Sequence, residues 1–269
     1  MAVNSGLDFE VAWHWLLAFG IALARPIGLL SFNPMFNRVP LTGVIRGAAA
    51  SALALPVAPV IEAALPRDGL GPIAMVLLTT KEAIVGSVLG FVLGMPFWAL
   101  DVAGDVMDAQ RGATQGRLND PAGFEDVSIS GTMLIMIGTV LFVMSGGLET
   151  LTSLLCDSWT VWRPFGAFPQ LNDRTPLLLL GMLDRMTRQG FLIAAPAVFA
   201  MLLADAALLV LARIAPQMRV DDLALSLRNI VFFIVMLFYA AFLLVYVRQD
   251  LVDLPRLFDL MRVSEGAPL

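Results

Sequence analysis

Residues 230–247, IVFFIVMLFYAAFLLVYV, run eighteen positions without a charge. A stretch of about 18–20 apolar residues is what a helix needs to cross a hydrocarbon core of roughly 30 Å, where the backbone must satisfy its own hydrogen bonds. Five more apolar blocks lie at 11–36, 44–65, 70–100, 129–156 and 177–212. Each is too long for a strand and rich in Leu, Ala and Met, so each reads as helix. The expectation is an all-α, multi-pass membrane protein of helical hairpins, with residues 1–269 forming a single membrane domain. Composition agrees: 58% of residues are hydrophobic and 14% charged, against about 45–50% and about 25% in soluble domains.

The blocks are not plain spans. The block at 70–100 would measure about 46 Å as one helix, so it must tilt, break or leave the bilayer. Gly86, Gly90, Gly94 and Pro96 are its candidate break points. Pro56 and Pro59, and Pro196 further on, are expected to interrupt other blocks, because proline frees a carbonyl that a neighbour must satisfy. Arg25, Arg46, Glu62, Lys81, Glu82, Glu149 and Asp205 lie inside apolar blocks, and Arg228 lies at the edge of the last. Each costs about 2.5–3.5 kcal/mol at a bilayer centre. Lys81 and Glu82 are neighbours, so on a helix they point in different directions, and at least one needs a partner from elsewhere. Blocks of this kind are expected to face protein instead of lipid. Lys and Arg in alternate loops nearly balance, so charge does not fix the orientation.

Several chemistries drop out. The start, MAVNSGLDFE, carries two acids and no Lys or Arg, so it lacks the basic region of a secretory signal and the first block is expected to stay in the mature protein. Cys156 and His14 are the only residues of their kinds, which excludes an intrachain disulfide and a thiolate or imidazole zinc cluster. Any metal would fall to carboxylates. A net charge of −5 with no basic cluster argues against nucleic acid. No nucleophile elbow and no phosphate-cradling GxxxxGK[ST] pattern is present. His14, between Trp13 and Trp15, reads as a packed or interfacial side chain and Cys156 as a small buried one. The tryptophans of DSWTVWRPFGAFP, 157–169, read as an interfacial anchor.

The central segment, 101–128, is polar. Residues 101–126 hold six acids, two arginines and four glycines. Asp101, Asp105 and Asp108 fall at i, i+4 and i+7, one stripe of a helix that Gly112 continues. Such a stripe is either a solvated helix end or a set of ligands for Mg²⁺ and a diphosphate, as in a membrane transferase. Its spacing differs from the metal motifs of those enzymes, and no second aspartate cluster stands opposite. Beyond it, Gly112, Gly116 and Gly123 with Asp120–Pro121 mark a long, turn-rich loop, the kind that serves as a lid or binding element.

Taken in order, these pieces resemble the FliR/SctT family, the membrane export-gate subunit of flagellar and injectisome type III secretion systems. The resemblance rests on RPIGLLSFNPMFNRVPLTGVIRGAAASALAL at 25–55, KEAIVGSVLGFV at 81–92, AGDVMDAQRG and NDP within 103–121, SGGLETLTSLLCDSWTVWRP at 145–164, and LADAALLVLARIAPQMRV at 203–220. The serine, aromatic and VW-Pro arrangement at 158–164, and the lack of a histidine near 148, point to the injectisome branch. Leu148–Glu149 and the Arg163 before Pro164 depart from the pattern, and no role is carried onto Leu148–Glu149.

The resemblance implies a non-enzymatic, cofactor-free subunit of the bacterial inner membrane, raised in part toward the periplasm in a helical pore complex. Its implied partners are FliP/SctR-type and FliQ/SctS-type membrane subunits, an FlhB/SctU-type switch protein and an FlhA/SctV-type export gate. Needle or inner-rod proteins and secreted polypeptides complete the set, and the energy is implied to come from the proton-motive force. The family's plug is matched here by Gln110, Arg111, Gly112, Ala113, Thr114, Gln115, Gly116, Arg117, Asn119, Asp120 and Pro121. Its glycines let the backbone enter and leave a narrow lumen, and its amides bond without fixed charge. Arg25, Arg46, Lys81, Glu82, Asp101, Asp105, Asp108, Asp205 and Arg213 are the expected anchoring or interface charges, with Arg111 and Arg117 as ion-pair partners for the aspartate stripe. The alternative remains a magnesium-dependent membrane transferase using Asp101, Asp105 and Asp108. A secondary transporter would need paired half-helices and repeat symmetry that the sequence does not carry.

Overall fold

The computed structural model describes residues 4–38, 43–66, 70–112, 128–166, 175–215 and 220–252. Among them every regular element is an α-helix, in the order α1 (Asn4–Phe32), α2 (Pro34–Arg38), α3 (Gly43–Ala54), α4 (Ala58–Ala64), α5 (Pro72–Leu93), α6 (Met95–Arg111), α7 (Ile129–Met144), α8 (Gly147–Val161), α9 (Thr175–Ile214) and α10 (Val220–Val252). Three of these are long and apolar enough to cross a membrane, or five if each of two bent pairs counts as one span. The chain is thus an all-α, multi-pass protein with broken helices, as its hydropathy predicts.

Two compact units are present. One holds α1–α5, α8 and the start of α9; the other holds α6, α7, α9 from Leu180 onward and α10. In the first, α5 lies along α1, and α3 and α4 pack on α1 as well. Glycine makes the α1–α5 contact possible. A β-carbon at Gly86 would come within 2.8 Å of the Arg25 Cα, one at Gly90 within 2.8 Å of the Leu29 Cα, and one at Gly28 within 2.8 Å of the Ser87 nitrogen. Gly86 and Gly90 form a GxxxG pair that lets two backbones touch in an apolar medium, where dispersion replaces the hydrophobic drive.

This corrects one expectation. Gly86 and Gly90 do not break the 70–100 block; α5 runs straight through both. The break falls at Gly94, which caps α5, and Pro96 sits in the first turn of α6, where a missing N–H costs nothing. Pro56 and Pro59 do interrupt their block, giving α3 and α4 bent by 58°. Pro196 does not; it stands inside α9, as Pro26 stands inside α1. The block at 129–156 divides without proline, at Ser145–Gly146, where Gly146 takes φ +78°, a conformation that glycine adopts at little cost.

In the second unit α6 packs on α7, and α10 touches both. A β-carbon at Gly104 would lie 2.7 Å from the Ser130 carbonyl carbon, and one at Gly138 would strike Leu100. Phe97 and Phe142 meet edge to face, 5.6 Å apart, beneath this seam. Side chains of α9 and α10 such as Phe199, Leu209, Phe233 and Leu237 are exposed, as expected for faces that meet lipid or protein. His14 and Cys156 are half-buried; for Cys156 this is less burial than its small apolar character suggests.

Gly86→Ala should force α1 from α5, with overpacking of this kind costing about 1–3 kcal/mol. Lower recovery from membranes and a lower unfolding temperature in detergent are expected. Gly47→Ala, where nothing lies within 4 Å of the added carbon, should change neither.

Candidate functional site

The first unit buries Arg25 and Glu82 in one network. Arg25 on α1 is fully enclosed and donates from Nε to Glu82 Oε2 at 2.8 Å, from one terminal nitrogen to Ser158 Oγ at 2.8 Å, and from the other to the Trp162 carbonyl at 2.8 Å. The latter nitrogen also lies 2.7 Å from Glu82 Oε2. Its guanidinium carbon sits 4.9 Å from the centre of the Trp159 ring. Five interactions meet the planar fork of one arginine, the arrangement that lets a charge stay in a dry interior.

Lys81, one residue before Glu82, turns to the other side and donates to the carbonyls of Arg163, Pro164 and Gly166. Those carbonyls follow the end of α8, where the helix dipole also favours a cation. As expected, Lys81 and Glu82 find their main partners elsewhere, although Nζ and Oε1 are still 3.5 Å apart. The turn at 162–166, expected from sequence to be an interfacial anchor, receives both cations. Beside it a cleft of 570 Å³ is lined by Leu70, Leu77, Ile84, Pro164 and Phe165, among others. Arg46 is half-buried and donates to the Phe36 carbonyl at 3.2 Å.

The second unit gathers its buried charges, Asp101, Asp108 and Arg111, along α6 where it meets the start of α7. Asp108, fully buried, accepts from Ser128 Oγ (2.8 Å), the Ser130 N–H (3.1 Å), Ser130 Oγ (2.6 Å) and Arg111. Ser128 is also the N-cap of α7, its hydroxyl accepting from the Gly131 N–H at 2.9 Å. Arg111 bonds Ser130 Oγ at 3.2 Å, and its guanidinium lies 4.4 Å over the Phe232 ring. Gly112 then leaves α6 with φ +75°. Burial alone would raise the Asp108 carboxyl, but bonds from Ser130, Ser128 and Arg111 outweigh it and hold the group below the ordinary aspartate range.

The aspartate stripe does lie on one helix, but it does not act as one set. Asp108 faces α7, Asp101 is buried with its carboxylate against Gly131, and Asp105 is exposed. Among the described residues no group of three or more His, Cys, Asp or Glu side chains is arranged to hold a metal. Arg111 pairs with Asp108 as expected. Asp205 pairs with Arg228 at 2.6 Å, and Arg213 is exposed in the last turn of α9. Ala113, Thr114, Gln115, Gly116, Arg117, Asn119, Asp120 and Pro121 lie outside the described residues. Ser128, Ser130, Ser158 and Phe232 are absent from the sequence-derived set. Ser128 carried a usable signal, a serine directly before an apolar run.

Two outcomes follow. Glu82→Gln leaves Arg25 without its counter-charge and is expected to destabilise the protein by about 3–5 kcal/mol. Arg25→Met together with Glu82→Leu should recover most of that loss, read by denaturant unfolding in detergent. Asp108 has a depressed pKa, so its contribution is complete above the ordinary aspartate value of about 3.9 and lost as pH falls through the folded one. The unfolding-temperature gap between the natural protein and Asp108→Asn should be full at neutral pH and close in acid; a gap constant with pH would refute the assignment.

The chain is 32% identical to the surface presentation of antigens protein SpaR of Salmonella typhimurium (strain LT2) over 87% of its length and 86% of the relative's. It is 29% identical to the Yop proteins translocation protein T of Yersinia pestis, over 83% of this chain and 86% of that one. With the flagellar biosynthetic protein FliR of Escherichia coli (strain K12) the identity is 26% over 77% of each. These matches bear out the FliR/SctT resemblance, and the higher identities fall on the injectisome side. The family model for bacterial export proteins, family 1, matches residues 16–253, and the chain belongs to that family.

Proposed function

We propose that this protein is a core membrane subunit of a bacterial type III protein-export apparatus, and that residues 110–124 close its conduit until a substrate polypeptide displaces them. The observation that carries this reading is the Asp108 network. It joins the last turn of α6 to the cap of α7, so Gly112 and Ser128 leave and re-enter the described fold at one buried, charge-assisted anchor. A segment that must be displaced without unfolding its neighbours needs such a footing, because the energy spent on displacement should not spread into the helices that carry it.

The rest of the reading follows from the faces left uncovered. Exposed apolar side chains on α9 and α10 stand beside the half-buried Asp205 and Arg228, a mixture that suits protein walls better than acyl chains. On this reading the whole of 1–269 acts as one membrane domain in the inner membrane, raised in part toward the periplasm. Its neighbours are FliP/SctR-type and FliQ/SctS-type subunits, with the FlhB/SctU-type switch protein, the FlhA/SctV-type gate and needle or inner-rod proteins close by. The subunit acts by holding and releasing a passage for unfolded substrates and performs no turnover.

Deleting 112–118 is expected to leave assembly intact while making the membrane permeable to ions and small solutes. Unchanged permeability in the deletion strain would count against closure by this segment. Purification in mild detergent should bring down two small, very apolar membrane proteins in a large particle, and a monodisperse monomer would count against the subunit reading.

A further inference from the structure

The last turn of α6 is held from a second direction that neither charge network requires. Gln110 and Arg111 are its final polar residues before Gly112. Arg228 and Phe232 stand at i and i+4 on α10, and so share a face. The Arg111 guanidinium lies over the Phe232 ring at 4.4 Å. Arg228 Nε donates to Asp205 Oδ1 at 2.6 Å, and Gln110 Nε2 reaches Asp205 Oδ2 at 3.5 Å. One carboxylate of α9 therefore uses its two oxygens on donors from two other helices.

We infer that α9 and α10 form a releasable clasp on the C-terminal turn of α6, with Asp205 as its positioning residue. Arg228 neutralises Asp205 and fixes its plane, and the second oxygen then orients Gln110. Phe232, one turn along the same helix, seats the neighbouring Arg111.

The contacts are graded. The Gln110–Asp205 contact is at the outer limit of a hydrogen bond and joins partly buried groups. The Arg111 pair with Asp108 is buried and shares its acceptor with two serines. A small shift of α9 or α10 therefore frees Gln110 first and leaves Arg111 in place. The turn has two states, fully held and held by Arg111 alone. Gln110 and Arg111 open the segment assigned to closure, but the clasp is read on their contacts at the end of α6, whatever the residues beyond Gly112 do.

Amide hydrogen exchange on the intact membrane complex tests it, comparing peptides that cover 107–112 with peptides from α1. Asp205→Ala should speed exchange in the α6 turn about tenfold and leave α1 unchanged. Gln110→Leu, which leaves the Asp205–Arg228 pair intact, should give the same local effect. Adding Gln110→Leu to Asp205→Ala should add nothing, and Asp205→Glu should restore much of the protection. Unchanged exchange at 107–112 in both single variants overturns the clasp, and so does equal acceleration in α1 and α6, which would make Asp205 a general stabiliser. Solute leakage in the 112–118 deletion tests the closure reading separately.

Discussion

A cation inside an apolar protein stays charged only if its neighbours replace the water it has lost, and the first unit is arranged around that requirement at Arg25. Its guanidinium must reach α5, α8 and the turn beyond α8 at once. That reach exists because α1 and α5 approach backbone to backbone, and the approach exists because Gly28, Gly86 and Gly90 carry no β-carbon. Gly86 faces Arg25 itself, so the closest packing point and the buried charge occupy one level of the helix pair. Replacing either element removes the reason for the other. The pair contributes less to net stability than its Coulomb energy suggests, since desolvation offsets most of the gain. It does fix one register of α1 on α5, because any slip would strand a charge.

The second unit meets the same requirement with different chemistry. Asp108 is satisfied mainly by short donors from α7, two hydroxyls and an N–H, with Arg111 from its own helix. Serine suits this position, because its short side chain bonds a carboxylate while staying inside a close helix seam. The seam between Gly104 and Gly131 brings those donors within range. A capping residue, a buried anion and a helix end are thereby made into a single anchor.

Relatives named for antigen presentation, Yop translocation and flagellar biosynthesis share most of this chain's length. In this chain the buried charges tie helices to one another, while the large apolar side chains of α9 and α10 stay uncovered. Charges that hydropathy alone would flag as faults are the parts that hold the framework together.

The sequence by itself determined the fold class, since eighteen uncharged residues at 230–247 admit little but helix and the other blocks follow the same logic. It also identified which charges needed partners and marked Pro56, Pro59 and Gly94 as breaks, because proline and glycine act on the local backbone. It could not distinguish Gly94, which ends a helix, from Gly86 and Gly90, which tighten one, because that depends on a helix about sixty residues away in the chain. Nor could it show that Pro196 is tolerated, that Ser158 serves Arg25, or that Asp205 faces Arg228 and Gln110. Those pairings join residues 23 to 133 positions apart, and only the packed helices decide which side chains share a dry interior.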